Sequence, residues 1–159
     1  MSNDERKKNQ NPIYSWESIP AGKGAFGYRF HDMAPEHQKT QNWSKNAPAW
    51  RQAVPGINLE AHAKGRVIVK WGRRHFDFFE NEHQCACPLC AQYVEPIICG
   101  FTDTEWRAIG IRKKGPGVAA EKVNFPWKVA PHGIYSTFDD DPKNYAQWKD
   151  LRIEVRNIQ

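Results

Sequence analysis

The sequence predicts a mainly β fold: a single compact, antiparallel β-rich domain carrying a cysteine knuckle, preceded by an extended N-terminal arm. Three observations lead there. Residues 151–158, LRIEVRNI, alternate Leu151, Ile153 and Val155 with Arg152, Glu154 and Arg156, the period of a strand with one buried and one wet face. The run RVIVKW at 66–71 is dense in β-branched residues, which suit a pleated, half-buried surface. All four cysteines fall within positions 85–99, and two of them form Cys87-Pro88-Leu89-Cys90.

The remaining elements follow in chain order. Residues 1–52 carry Pro12, Pro20, Pro35 and Pro48 and hold no sustained period of 2 or 3.6, so they read as an extended arm, and residues 53–159 as the β-rich domain. The arm is rich in rings (Tyr14, Trp16, Phe26, Tyr28, Phe30, Trp43, Trp50), whereas disordered segments are poor in them. Those rings are therefore expected either to wrap the chain's own domain or to anchor a partner. After the turn-like GRRH, the residues FDFF at 76–79 are expected to close a hairpin with 66–71. TEWRAIGIRKK at 104–114 reads as a strand with a basic end, and the Gly-Pro-Gly that follows as a loop. KVNFPWKV at 122–129 alternates Val123, Phe125 and Trp127 with polar neighbours. DDDPKNYAQWKDL carries an Asp start with Pro142 just inside it, the opening of a short helix.

Composition bounds the function. At 159 residues the chain holds one ordinary domain and a tail. Its mean hydropathy of −0.78 is polar, yet 13% of residues are aromatic and seven are Trp, so the apolar material sits in few large side chains. A net charge of +5 and a pI near 9.1 favour acidic surfaces as partners. No run of about 18 apolar residues predicts a membrane span. The charged start MSNDERKKNQNP lacks the apolar stretch of a secretory signal, which predicts a cytoplasmic or nuclear location. Thiols stay reduced there, so the clustered cysteines are expected to be ligands or free thiols before disulfides.

A C-x-x-C turn is half of a zinc site, because it lets two thiolates converge on one metal at about 2.3 Å. Cys87 and Cys90 are the expected pair; Cys85, Cys99, His83 and His62 are the candidates to complete a zinc-ribbon-like tetrahedral set, with Cys99 better explained as core because PIICGF reads as an internal strand.

The motifs GINLE, FDFFENEHQCACPLC, YVEPIICGF and YSTF…YAQWKDLRIEV, between residues 56 and 156, resemble a poorly characterised domain family of eukaryotes, mostly microbial, whose members run G-x-N-x-E-G-x-C, a second Cys, C-P-x-C and C-G-F. The resemblance implies a compact β-rich domain in which paired knuckles hold zinc; it implies no activity. This chain departs from the pattern. AHAKGRV stands where the first cysteine pair falls, leaving only His62, and Thr104 stands near the place of a further cysteine after C-G-F. Cys85 is an added cysteine. With Cys87, Cys90 and His62 it makes up the predicted zinc set.

Three function classes follow. The first is a non-enzymatic protein-interaction or assembly module that binds a protein partner through its N-terminal arm. The second is a nucleic-acid-binding module in which Arg73, Arg74, Lys113 and Lys114 contact phosphates. The third is a cysteine-dependent enzyme with Cys85 or Cys87 as nucleophile and His75 or His83 as base. No G-x-S-x-G, H-E-x-x-H or phosphate-cradling Gly-rich loop supports catalysis, so the interaction module is the expected class.

Overall fold

The computed structural model describes residues 27–42, 47–63, 65–139 and 141–159. Among them two antiparallel sheets close over one hydrophobic core, in agreement with the β-rich, antiparallel fold that the alternation and β-branched runs predict. The first sheet has the order β1 (Tyr28–His31), β11 (Tyr145–Arg156), β7 (Thr104–Lys113), β8 (Glu121–Asn124), with β5 (Phe76–Asp77) also on β11 and β9 (Lys128–Ala130) also on β7. The second has the order β2 (Gln38–Asn42), β10 (Ile134–Phe138), β6 (Pro96–Thr102), β3 (Gly56–His62), β4 (Arg66–Gly72). No helix among the described residues is long and apolar enough to cross a membrane.

Strand β11 shows how the apolar spacing becomes geometry. Ala146 and Trp148 are buried, then Leu151, Ile153 and Val155, so the buried set changes parity between Trp148 and Leu151. A period of exactly two cannot do this unless one residue is looped out. The ladder with β7 shifts there: Trp148 faces Arg112 while Asp150 faces Ile111, leaving Lys149 as the bulge. Gly110 lies opposite, where a Cβ would stand 2.0 Å from the Asp150 carbonyl oxygen.

The core is aromatic. Phe101 of β6 stacks on Trp106 of β7 at 4.3 Å between ring centroids, and Trp106 meets Phe138 edge-on at 5.7 Å, so these rings tie the two sheets together. Each such ring contributes about 1.5–3 kcal/mol by leaving water. A second chain of rings runs from Trp71 through Phe76 and Phe78 to Phe30, with centroids 4.8–5.1 Å apart. It fastens helix α1 (Phe78–Asn81), and with it the start of the cysteine segment, onto the sandwich.

Several expectations are corrected. Residues 28–42, assigned to the arm, supply β1 and β2, one strand to each sheet, and Phe30 and Met33 are fully buried. The reason is that β11 and β10 have edges whose N–H and C=O groups need partners, and the intervening rings complete the core. Of the arm's other rings, Trp50 packs against the core, whereas Tyr14, Trp16, Phe26 and Trp43 lie outside the described residues. The strand 66–71 pairs with β3, not with 76–79; β5 is two residues long and joins β11 before the chain turns into α1. The helix expected after Asp141 is one 3₁₀ turn, Pro142–Asn144. Asp141 does cap it by accepting from the Lys143 amide at 3.1 Å, but the β-pairing of Tyr145 onward takes the backbone bonds a longer helix would need. Residues 122–129 are two short strands, β8 and β9, separated at Pro126, which has no N–H for the ladder.

Candidate functional site

The cysteine segment begins at a helix cap. Asp77 accepts from the amides of Phe79 (2.8 Å) and Glu80 (3.3 Å), which holds α1 in place and turns Phe79 out to solvent at 78% exposure. After a 3₁₀ turn at Glu82–Gln84 the chain folds into a small hairpin. Val94 N donates to Cys85 O (3.1 Å), Cys87 N to Gln92 O (2.8 Å) and Ala91 N to Cys87 O (2.8 Å), with Ala86 bridged to Tyr93. The tip is C-P-L-C. Cys87 Sγ accepts from the Leu89 amide at 3.4 Å and also from Cys90, and these donors, Leu89 first, lower the Cys87 thiol from its ordinary value. Ala91 closes the turn at φ 64°, a left-handed conformation unusual for a residue with a Cβ. Cys90 is exposed.

The other predicted ligands go elsewhere. All four cysteines are free thiols. Cys85 is buried against the core, and burial, with Glu82 nearby, pushes its thiol up to about 12. Cys99 lies in the central strand β6 with no exposure, its Sγ 3.9 Å from Met33 Sδ, as a core cysteine. His62 ends β3 at the exposed turn into β4, and His83 is exposed. Among the described residues no His, Cys, Asp or Glu joins Cys87 and Cys90 in a group of three ligand atoms within 4.8 Å. The described residues thus bring together two of the four ligands of a closed zinc site and do not complete it. His75, considered as a base, uses Nδ1 to accept from Val155 N at 3.3 Å, which ties it to the end of β11.

The hairpin borders a groove of about 570 Å³, with Pro88 and Leu89 on one side and Trp50, Ile68, Lys70, Trp71 and Arg74 on the other. Leu89 is 54% exposed and Tyr93 51%. The Arg74 guanidinium lies 3.6 Å from the centroid of the Trp71 ring and donates to Trp71 O, so this rim is both aromatic and cationic.

The four basic residues of the phosphate-contact expectation divide between two places: Arg73 and Arg74 follow β4, while Lys113 ends β7 in the other sheet and Lys114 follows it. Arg73 pairs with Asp103 at 2.6 Å, and Lys114 Nζ lies 2.9 Å from Asp32 Oδ2.

Asp32 belongs to a second cluster, which the sequence reading missed. Where β1 ends, His31 and Asp32 are fully buried, and His37, after the turn, is half-buried. Asp32 Oδ1 lies 3.4 Å from His31 Nδ1 and 3.2 Å from His37 Nδ1. The corner is held on all sides. Asp32 N donates to Asn144 O (2.8 Å), Arg112 Nη1 donates to Asp32 O, and Trp148 Nε1 donates to His31 O (2.9 Å). Ala34 N donates to Asp32 Oδ1 (2.9 Å), and Met33 takes φ 62°. Burial lowers His31 to about 4, so its imidazole is neutral at pH 7. Asp32 stays below the ordinary carboxylate value: burial pushes it up, but the hydrogen bonds from Lys114 and the Ala34 amide outweigh that. The sequence signal was H-D-x-x-x-x-H at 31–37, hidden by its place in a stretch read as an arm.

Compared with protein-family models, with curated proteins and with solved structures, the chain matches none.

Proposed function

We propose that the protein is a non-enzymatic protein-interaction or assembly module, and that the cysteine hairpin with its adjoining groove is the surface that meets the partner. One observation carries this reading. Of the six large hydrophobic side chains that are exposed among the described residues, three, Phe79, Leu89 and Tyr93, fall in one fifteen-residue segment. Of the three, Leu89 lines the groove, together with Trp50, Trp71 and Arg74. Trp and Arg in a concave surface beside exposed apolar side chains match the composition of binding hot spots. The residues 1–26, whose rings Tyr14, Trp16 and Phe26 were expected to anchor a partner, would add to that contact from outside the described region.

The nucleic-acid reading has less behind it, because Arg73 and Lys114 are committed to carboxylates and Arg74 to a Trp ring. Zinc at the hairpin, implied by the family resemblance, would rest on Cys87 and Cys90, whose convergent thiols and amide donors suit a metal thiolate.

A photo-crosslinking residue placed at position 89, compared with one at the exposed position 152 on β11, tests the reading in cells that make the protein. A discrete protein adduct from position 89, absent from 152 and lost on Phe79→Ser, is the expected result. Equal or no adducts from the two positions would overturn it.

A further inference from the structure

We propose that His31, Asp32 and His37 form a binding site for a divalent first-row transition ion, with zinc as the reference ion, separate from the cysteine hairpin.

The argument starts from ligand spacing. Zinc bonds of about 2.0–2.2 Å to His nitrogen and carboxylate oxygen, arranged tetrahedrally, put neighbouring ligand atoms roughly 3.3–3.6 Å apart. Asp32 Oδ1 is 3.4 Å from His31 Nδ1 and 3.2 Å from His37 Nδ1, and the three ligand atoms lie within 4.8 Å of one another. Little movement is needed to seat an ion.

Second, the buried hydrogen bonding of His31 is incomplete, although His37 Nδ1 and Asp32 Oδ1 pair at 3.2 Å. His31 Nδ1 accepts from Met33 N at 3.0 Å, which places the ring proton on Nε2 and the Nδ1 lone pair on the Met33 amide, with Asp32 Oδ1 only 3.4 Å away. In that tautomer the buried Nε2 has no hydrogen-bond partner among the described residues. The other tautomer would let Nδ1 donate to Asp32, and would then leave the Met33 amide facing an N–H. Each arrangement carries a defect of the kind that buried polar groups in native proteins rarely keep. A cation on Nδ1 would take over the lone pair that now serves the Met33 amide, and would bind Nδ1 and Oδ1, which oppose each other in the first arrangement, to one centre.

Third, the site is built before any ion arrives. The backbone of His31 and Asp32 is held by Trp148, Asn144 and Arg112, which fixes the positions from which the two side chains project. Lys114 sits on Oδ2 and leaves Oδ1 facing the imidazoles; its ammonium lowers the affinity for a dication without blocking the position. His37, with a quarter of its side chain exposed, lies on the solvent side, so the three protein ligands leave room for water as a fourth.

Cobalt(II), which reports its ligands by colour, and calorimetric zinc titration test this on the full chain after chelator treatment. In Cys87→Ser/Cys90→Ser, where the hairpin has no thiolate, one cobalt should still bind, without a sulfur-to-metal charge-transfer band. Adding His37→Ala, a position a quarter exposed and outside the core, should weaken binding by more than the ~10-fold that even outer-shell changes cost. Binding that vanishes with the two cysteines, or that survives His37→Ala unchanged, would overturn the proposal. Should the cysteine variant fail to fold, the unmodified chain decides: zinc must shift the His37 ring resonances, and unmoved resonances at saturating zinc would overturn the site equally.

Discussion

Trp106 and Phe79 are both large aromatic residues, and they end at opposite extremes: one with no exposure between the two sheets, the other 78% exposed beside the cysteine hairpin. The cysteines divide in the same way. Cys99 is sealed in β6, whereas Cys90 faces solvent at the tip of C-P-L-C. In the sandwich, Trp106 is stacked on Phe101 and met edge-on by Phe138. In the 79–93 segment backbone hydrogen bonds, one cap and the bond that the Tyr93 hydroxyl donates to Glu82 hold the shape, and Phe79 and Leu89 are left exposed. The difference teaches that exposure at 79–93 comes from local backbone organisation, not from a failure to pack: Cys85 and Cys87 within it, and Phe78 and Val94 on either side of it, do join the core.

If that contrast is right, the largest effect comes from the sandwich. Trp106→Ala should cost about 3–5 kcal/mol, the loss of a buried ring plus the cavity it leaves, read as a lower urea midpoint with unchanged slope. A cost near zero would mean that the two sheets are not held together by the Phe101–Trp106–Phe138 contact.

Gly100→Ala should follow. An added Cβ would stand 2.1 Å from the Tyr135 ring, whose hydroxyl donates to buried Glu60 at 2.7 Å. Moving that ring strains the core and disturbs a buried carboxylate that Arg66 also pairs with at 2.8 Å. A loss of ~1–3 kcal/mol is expected, and Tyr135→Phe in the same background should recover at most part of it, because the added Cβ would also stand 2.1 Å from Cζ and 2.5 Å from Cε1 of the ring.

The cap sits between the two regions. Asp77→Ala removes the acceptor for Phe79 N and Glu80 N and should cost about 1 kcal/mol in global stability. Amide hydrogen exchange at 78–84 should rise more than in β7 or β11. Uniform exchange across all these segments would show that the hairpin unfolds only with the sandwich.

The smallest effects belong to the outer surface. Leu89→Ser should change stability by no more than about 0.5 kcal/mol, since a half-exposed side chain away from the core gives up little on truncation. In the folded protein an alkylating reagent should modify Cys90 first and Cys87 next. Cys85, buried with its thiol raised to about 12, and Cys99 should react only once the chain unfolds. Mass mapping of the alkylated cysteines reads this order directly, and early labelling of Cys85 would move it from the core side of the hairpin to the surface.

Period and composition were enough to determine the strand class, the alternating faces of 151–156 and the internal placement of Cys99, because a strand's two faces are written in adjacent residues. The C-x-x-C turn was equally legible, since its chemistry spans four positions. What only the tertiary structure decided was pairing over long separations. That Phe30 belongs to the core follows from β1 finding the free edge of β11, more than a hundred residues later, and no local pattern in a Pro-punctuated stretch announces it. The change of parity at Lys149 follows from its ladder with β7. His31, Asp32 and His37 gain their chemistry in the same way: Trp148, Asn144, Arg112 and Lys114 bury and orient them from distant parts of the chain. Local periodicity records which side of an element is apolar, and it is silent on which other element comes to cover that side.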